Sequence, residues 1–372
     1  MVNPASFCDK LSHFNINFFT GVPDSLLKSF CAYIEQKIPK EQHIITANEG
    51  SAIAVAAGHY LGCGQPALVY MQNSGLGNAV NPLVSLADEK VYSIPMLMLI
   101  GWRGKPGEPD EPQHLKQGEI TKAQLDILGI PYKVLTAGCD ISSLLEELLE
   151  VMNRKKIPVA LLVTKNTFLT YATTKTPSAA LMSREAALEI VIDEFDRQDV
   201  IVSTTGKASR ELYELRKKSN SQKVDFLTVG AMGHTASIGL GIAKAQKNKK
   251  VVVIDGDGSL LMHMGSMAVI AQQKLPNLVH IVMNNGCHES VGGQKTVAKD
   301  ICLEQIAVGS GYEQIHTVTT VEELKQSILS LKKVTGTHFL QIIINSDSRS
   351  NLGRPTKSPV ENKVAFMDQT MA

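Results

Sequence analysis

Two short stretches of this chain carry residue types suited to holding a metal–phosphate group. Gly256-Asp257-Gly258-Ser259 closes the apolar run VVVID, and Asn284-Asn285 closes the next apolar run, VHIVM. An aspartate offers a hard anionic oxygen and an asparagine amide a neutral one, the ligand types Mg²⁺ takes alongside phosphate oxygens and water. Gly256 and Gly258 let the backbone come close to a phosphate. Ser259 and the start of the following helix can donate hydrogen bonds to it. Alone, a DGDG run is a tight turn with a helix cap; the spaced asparagines shift the balance to a site. No GxGxxG follows a strand and no GxxxxGK[ST] occurs, so dinucleotide and P-loop nucleotide binding are poorly supported.

Such groups meet only if neighbouring strands deliver them to one sheet edge. The 25 residues between Gly258 and Asn284 suffice for a helix and a returning strand. Continuous apolar runs at 43–47, 66–71, 95–101, 158–164, 200–204, 250–255, 279–284 and 339–345 read as parallel strands buried on both faces. Helical segments lie between them, at 49–61, 184–195 and 265–273 among others. Strand alternating with helix predicts an α/β fold of doubly wound sheets, whose ligands bind beyond the strands' carboxyl ends. A stretch rich in Thr, Ser and Ala, with Pro177, marks 171–183 as a linker between α/β domains at 1–170 and 184–372. No repeat links the halves, although they could share a fold without sharing sequence.

The chain has 372 residues, enough for two domains. Lys+Arg number 37 against Asp+Glu 36, so no basic field is available for nucleic acid. Six cysteines lack CxxC spacing, which signals neither zinc nor a disulfide framework. The N-terminus lacks the pattern of a signal peptide, and no apolar run reaches membrane-spanning length. A reduced, cytoplasmic protein with no membrane partner is the expectation.

The Gly256–Ser259 and Asn284–Asn285 arrangement resembles the cofactor motif of the thiamine diphosphate-dependent 2-oxo acid decarboxylases. The resemblance implies that Asp257, Asn285 and the Cys287 carbonyl hold Mg²⁺, which in turn holds the diphosphate, with Gly256, Gly258 and Ser259 beside it. It implies that Glu49, in IITANEGSAIAVAAG, touches N1′ of the aminopyrimidine. Without the family, a glutamate at a helix N-terminus is simply stabilised by the helix dipole. In TVGAMGHTASIGLGIA, Met232 would support the bent cofactor and the Gly230 carbonyl would face its 4′-amino group. FFTGVPDSLLK places Asp24, and GWRGKPGEPDEPQH places His114, where relatives keep active-site groups. An N-cap and a surface-loop residue are the plain alternatives.

These segments, with STTGKASREL, NNGCHESVGGQKT and LGRPTKSP, are similar to the branch acting on 3-phosphonopyruvate or sulfopyruvate, from about Phe18 to Pro359. The implied fold is a pyrimidine-binding and a diphosphate-binding domain without a middle domain. The implied assembly is a homodimer or larger, with sites between subunits and a small 2-oxo acid as substrate. A phosphonate or sulfonate needs cations, for which Arg103, Lys207, Lys295 and Arg354 are candidates, Arg103 and Lys295 first. Two departures stand out. Gln113-His114 replaces a histidine pair, and Val291 stands where relatives have a glutamate six positions after the second asparagine. His288, Glu289 or Ser290 would then take over its proton transfer. A second decarboxylase specificity, or a Mg²⁺–diphosphate-binding module without turnover, are the competing readings.

Overall fold

A computed structural model describes residues 1–172, 181–195 and 198–372. Most of the expected linker, residues 173–180, lies outside the described residues. The chain divides into two compact units: Met1–Lys175 with His288–Gln294, and Thr176–Cys287 with Lys295–Ala372.

The first unit contains β1 (Phe19–Gly21), β2 (His43–Ile45), β3 (Leu68–Gln72), β4 (Met96–Gly101), β5 (Tyr132–Leu135) and β6 (Pro158–Val163). They form one sheet in the order β2-β1-β3-β4-β6-β5, and every pairing is parallel. The second unit contains β7 (Val200–Ser203), β8 (Phe226–Leu227), β9 (Val251–Gly256) and β10 (Leu278–Asn284). A small hairpin, β11 (Cys287–His288) with β12 (Gln294–Lys295), precedes β13 (Gln314–Val318) and β14 (His338–Ile343). The second main sheet runs β13-β14-β10-β9-β7-β8, again all parallel. Counted from each sheet's own first strand, both orders read 2-1-3-4-6-5. The two halves share a fold without sharing sequence.

Packing explains the uninterrupted apolar runs. On β4, Leu97 and Leu99 enter one hydrophobic cluster while Met96, Met98 and Ile100 enter another. On β9, Val252 and Ile254 face one cluster and Val251 and Val253 the other. Successive side chains point to opposite faces, and both faces are covered, so no polar alternation survives. Truncating one such residue, as in Leu99→Ala, would cost about 2–5 kcal/mol. The doubly wound expectation therefore holds. The sequence reading missed β1, which has three residues, and the edge strands β5, β8 and β13, which are only partly buried.

In each sheet the chain reverses its winding direction beside the first strand. That leaves a crevice at the carboxyl ends of β1 and β3 in one unit and of β7 and β9 in the other.

Candidate active site

In the second unit, the parallel register pairs Gly256 of β9 with Met283 of β10. Asp257 and Asn284 thus leave adjacent strands at the same edge. Asp257 begins a six-residue helix and is buried. Its Oδ2 accepts a hydrogen bond from the Thr296 hydroxyl. Burial pushes its carboxyl up to about 6, against the Thr296 hydrogen bond and the nearby Lys299 charge. A buried carboxylate so short of positive charge suits a divalent cation.

The two asparagines divide the work. Asn284 Oδ1 accepts from Gly286 N at 3.0 Å and its Nδ2 donates to the Ala298 carbonyl at 3.1 Å, which ties down both ends of the following loop. Gly286 takes a φ of +66°, which allows the turn. Asn285 Oδ1 accepts from Cys287 N at 3.1 Å, closing a turn between two of the expected ligands.

Ser259 Oγ accepts from Gly233 N at 3.0 Å and from Thr204 Oγ1 at 3.2 Å. With both acceptor positions used, its own proton is left to donate, as a phosphate neighbour requires. The Gly233 contact fastens the 229–234 loop, with Gly230 and the half-buried Met232, to the helix that Asp257 begins. Ala231, between them, adopts a φ of +51°, a left-handed conformation that costs a non-glycine residue roughly 1 kcal/mol or more. Among the described residues, no three His, Cys, Asp or Glu side chains gather as a metal set. The expected Mg²⁺ ligands are instead one carboxylate, one amide and one carbonyl. Those residues fit the ion chemically.

In the first unit, Asp24 follows β1 and is fully buried. Burial pushes its carboxyl up to about 6, opposed by hydrogen bonds from Leu26 N (2.9 Å) and Ser25 and by the Arg103 charge. Arg103 Nη1 donates to Ser25 Oγ at 2.6 Å. Its Nε donates to Asp110 Oδ2 at 2.8 Å and its Nη2 to Asp110 Oδ1. His114 Nδ1 lies 2.9 Å from the same Oδ1. Burial works against ionisation of Asp110, yet Arg103, His114 and Gly104 N hold its carboxyl well below the usual range. The predicted residues Asp24, Arg103 and His114 thus belong to one network, joined by Ser25 and Asp110. Arg103 enters it already paired with a carboxylate.

Glu49 has partners of its own. It is the first residue of the helix Glu49–Cys63, capped by Asn48, whose Oδ1 accepts from Ser51 N at 2.9 Å. Its side chain is buried, with Oε2 accepting from Asn78 Nδ2 at 2.7 Å. Burial raises its pKa, against the Asn78 hydrogen bond. Gly75 lies so close that a β-carbon there would stand 2.4 Å from Oε1.

The remaining candidates are more scattered. Lys295 is exposed at the end of β12, Arg354 is exposed, and Lys207 Nζ donates to Ser348 Oγ at 2.7 Å. Burial lowers the His288 imidazole to about 4. Thr296, Asn78 and Thr204 escaped the sequence reading because their contacts come from loops remote in the chain. Asp255, which ends the apolar run, is buried within β9. It lies 3.5 Å from His280 Nε2, and His280 Nδ1 lies 3.0 Å from the Tyr312 hydroxyl.

Comparison with known proteins bears on both units. The N-terminal TPP binding domain of thiamine pyrophosphate enzymes matches residues 5–127, and their C-terminal TPP binding domain matches 204–342. A phosphonopyruvate decarboxylase of Streptomyces viridochromogenes is 34% identical, with 97% of this chain and 93% of the relative covered. One from Streptomyces hygroscopicus is 33% identical, covering 97% and 92%. A sulfopyruvate decarboxylase of Methanosarcina acetivorans is 26% identical, covering 99% and 98%.

Proposed function

The chain belongs to the thiamine pyrophosphate-dependent decarboxylases, alongside the phosphonopyruvate decarboxylases, and we propose that it converts 3-phosphonopyruvate to phosphonoacetaldehyde and CO₂ with Mg²⁺ as second cofactor. The observation that carries the metal and cofactor reading is the buried, charge-poor Asp257 delivered beside Asn284–Asn285 by the β9–β10 register. The choice of substrate is supported by the full-length relatives. Those named phosphonopyruvate decarboxylase are 33–34% identical and the sulfopyruvate-acting one 26%. Sulfopyruvate is the second reading.

Bound thiamine diphosphate supplies the electron sink for the carbanion left when CO₂ departs. The protein residues do the rest. Asp257, Asn285 and the Cys287 carbonyl hold Mg²⁺, and Ser259 donates to the diphosphate. The Gly230 carbonyl and Met232 hold the aminopyrimidine in position. Glu49, its pKa raised by burial, holds a proton at N1′ of that ring, where a carboxyl that easily shares its proton is needed. Asp24 and His114 flank the 2-oxo acid and move the proton that C2 takes up once CO₂ has left, while Arg103 and Lys295 attract its anionic C3 group. The acting form is a homodimer or larger in the cytoplasm, with Glu49 of one copy serving a cofactor held by the Asp257 set of another.

Steady-state rates with phosphonopyruvate, sulfopyruvate and pyruvate, with thiamine diphosphate and Mg²⁺ supplied, test the reading. A preference for phosphonopyruvate is expected. A clear preference for either other acid would overturn the substrate assignment, and turnover of none would leave the non-catalytic module.

A further inference from the structure

Asp255 stands two residues before Asp257, near the end of β9, and is only 1% exposed. Strand side chains alternate between faces, so it shares a face with Val251 and Val253, which belong to a hydrophobic cluster. A carboxylate among such neighbours costs free energy that a third valine would not. Its partners all come from the second unit. Oδ1 accepts from Gly256 N at 2.9 Å. Pairing with β7 runs as far as Thr204 N, which donates to the Ile254 carbonyl at 2.8 Å. Gly256 N lies beyond that pairing and finds its acceptor in the Asp255 carboxylate. On the other side, Oδ2 stands 3.5 Å from His280 Nε2, which has no closer hydrogen-bond partner among the described residues. A carboxylate only accepts, so Nε2 carries the imidazole proton and Nδ1 accepts from the Tyr312 hydroxyl at 3.0 Å. Burial and the Asp255 charge both raise the Tyr312 pKa, which keeps the proton on that hydroxyl. Phe339 packs edge-on against the His280 ring, with centroids 5.7 Å apart.

We propose that Asp255 is a positioning residue for Asp257, the carboxylate assigned to Mg²⁺, an inference that rests on the metal reading above. Its Oδ1 holds the Gly256 N–H and so sets the direction in which the chain leaves β9, while His280 and Tyr312 back its Oδ2. Gly256 needs such a hold. Glycine is the least restricted residue in φ and ψ, and here it joins the rigid strand to the metal-bearing turn. A β-carbon on Gly256 would meet the Thr204 methyl at 3.9 Å, an ordinary contact, so packing hardly restrains it. The hydrogen bond to an ionised group, stronger than one between neutral partners, supplies the restraint.

The test is a calorimetric titration of Mg²⁺ into protein supplied with thiamine diphosphate, for wild type, Asp255→Val, Asp255→Ala and Asp255→Asn. Asp255→Val and Asp255→Ala remove the acceptor. Asp255→Asn keeps an Oδ1 that Gly256 N can reach, and so serves as the rescue. The expected Kd for Mg²⁺ rises roughly ten- to hundredfold in Asp255→Val and Asp255→Ala, the usual worth of a group that orients a metal ligand. In Asp255→Asn it rises by clearly less. A wild-type Kd in a folded Asp255→Val or Asp255→Ala would overturn the inference. So would an equal loss in Asp255→Asn, or failure of both apolar variants to fold, which marks a residue that serves the fold alone. Wild-type protein that takes up no Mg²⁺ with thiamine diphosphate would overturn the metal reading and this inference with it.

Discussion

Gly75 packs directly on the carboxyl of Glu49, where a β-carbon would stand 2.4 Å from Oε1. The two residues lie 26 apart in sequence, at the end of the 3-10 turn Asn73–Gly75 and at a helix N-terminus, and the glycine sets where the glutamate can rest. Gly75→Ala should therefore push the carboxyl from its position without changing its chemistry. A shift on the scale of 1 Å costs about 100-fold in rate, so kcat should fall by about that factor. Wild-type kcat in the variant would show that the position of Glu49 is not critical.

Glu49→Gln keeps the size and the Asn78 contact but removes the shared proton. Decarboxylation should fall by at least about 10²-fold, the low end for an acid–base group. Thiamine diphosphate should still bind within a few-fold of wild type, as measured by calorimetric titration. Full activity would refute the assigned role.

Asp24 makes the stability of the unliganded protein pH-dependent. Its carboxyl sits at about 6 when folded, above the ordinary 3.8. Between those values the folded chain holds more protons than the unfolded chain, so stability from this group falls as pH rises through that window. Above pH 6 the cost reaches up to about 3 kcal/mol. Asp24→Asn should raise the Tm at pH 7.5, lose this advantage near pH 4, and lower decarboxylase activity. An equal Tm difference at both pH values would contradict the burial argument.

Thr296 donates to the carboxylate assigned to Mg²⁺. Groups that orient a metal ligand are worth roughly 10- to 100-fold in metal affinity. Thr296→Val should raise the Mg²⁺ concentration for half-maximal cofactor binding by about tenfold or more, read as a fluorescence titration with Mg²⁺. No shift would mean that Asp257 needs no such support.

Arg103 and His114 share Asp110. Asp110 opposes the burial that lowers the His114 pKa. Asp110→Asn should lower that imidazole pKa further, followed by NMR titration. A raised value would contradict the charge contacts.

Much of this architecture was legible in the chain itself. Strands buried on both faces must be apolar at every position, so β3, β4, β6, β9, β10 and β14 stand out as unbroken runs. Edge strands such as β5 and β13 have no such signature, because one side remains partly solvated. Asp257, Asn285 and Glu49 were also readable as positions, since the first two directly follow strands and the third begins a helix that the pattern reveals.

Tertiary structure decided the rest. That β9 and β10 are neighbours in register, that Thr296 reaches Asp257 across 39 residues, and that Asn78 reaches Glu49 across 29 are long-range facts. No local spacing encodes them. Arg103 reads in sequence as a lone cation, although Asp110 stands only 7 residues on and the fold of that loop pairs them. Residue type and spacing specify which groups an element carries to its end. Which loops close over them depends on how the elements pack, and that packing sets burial, pairing and pKa.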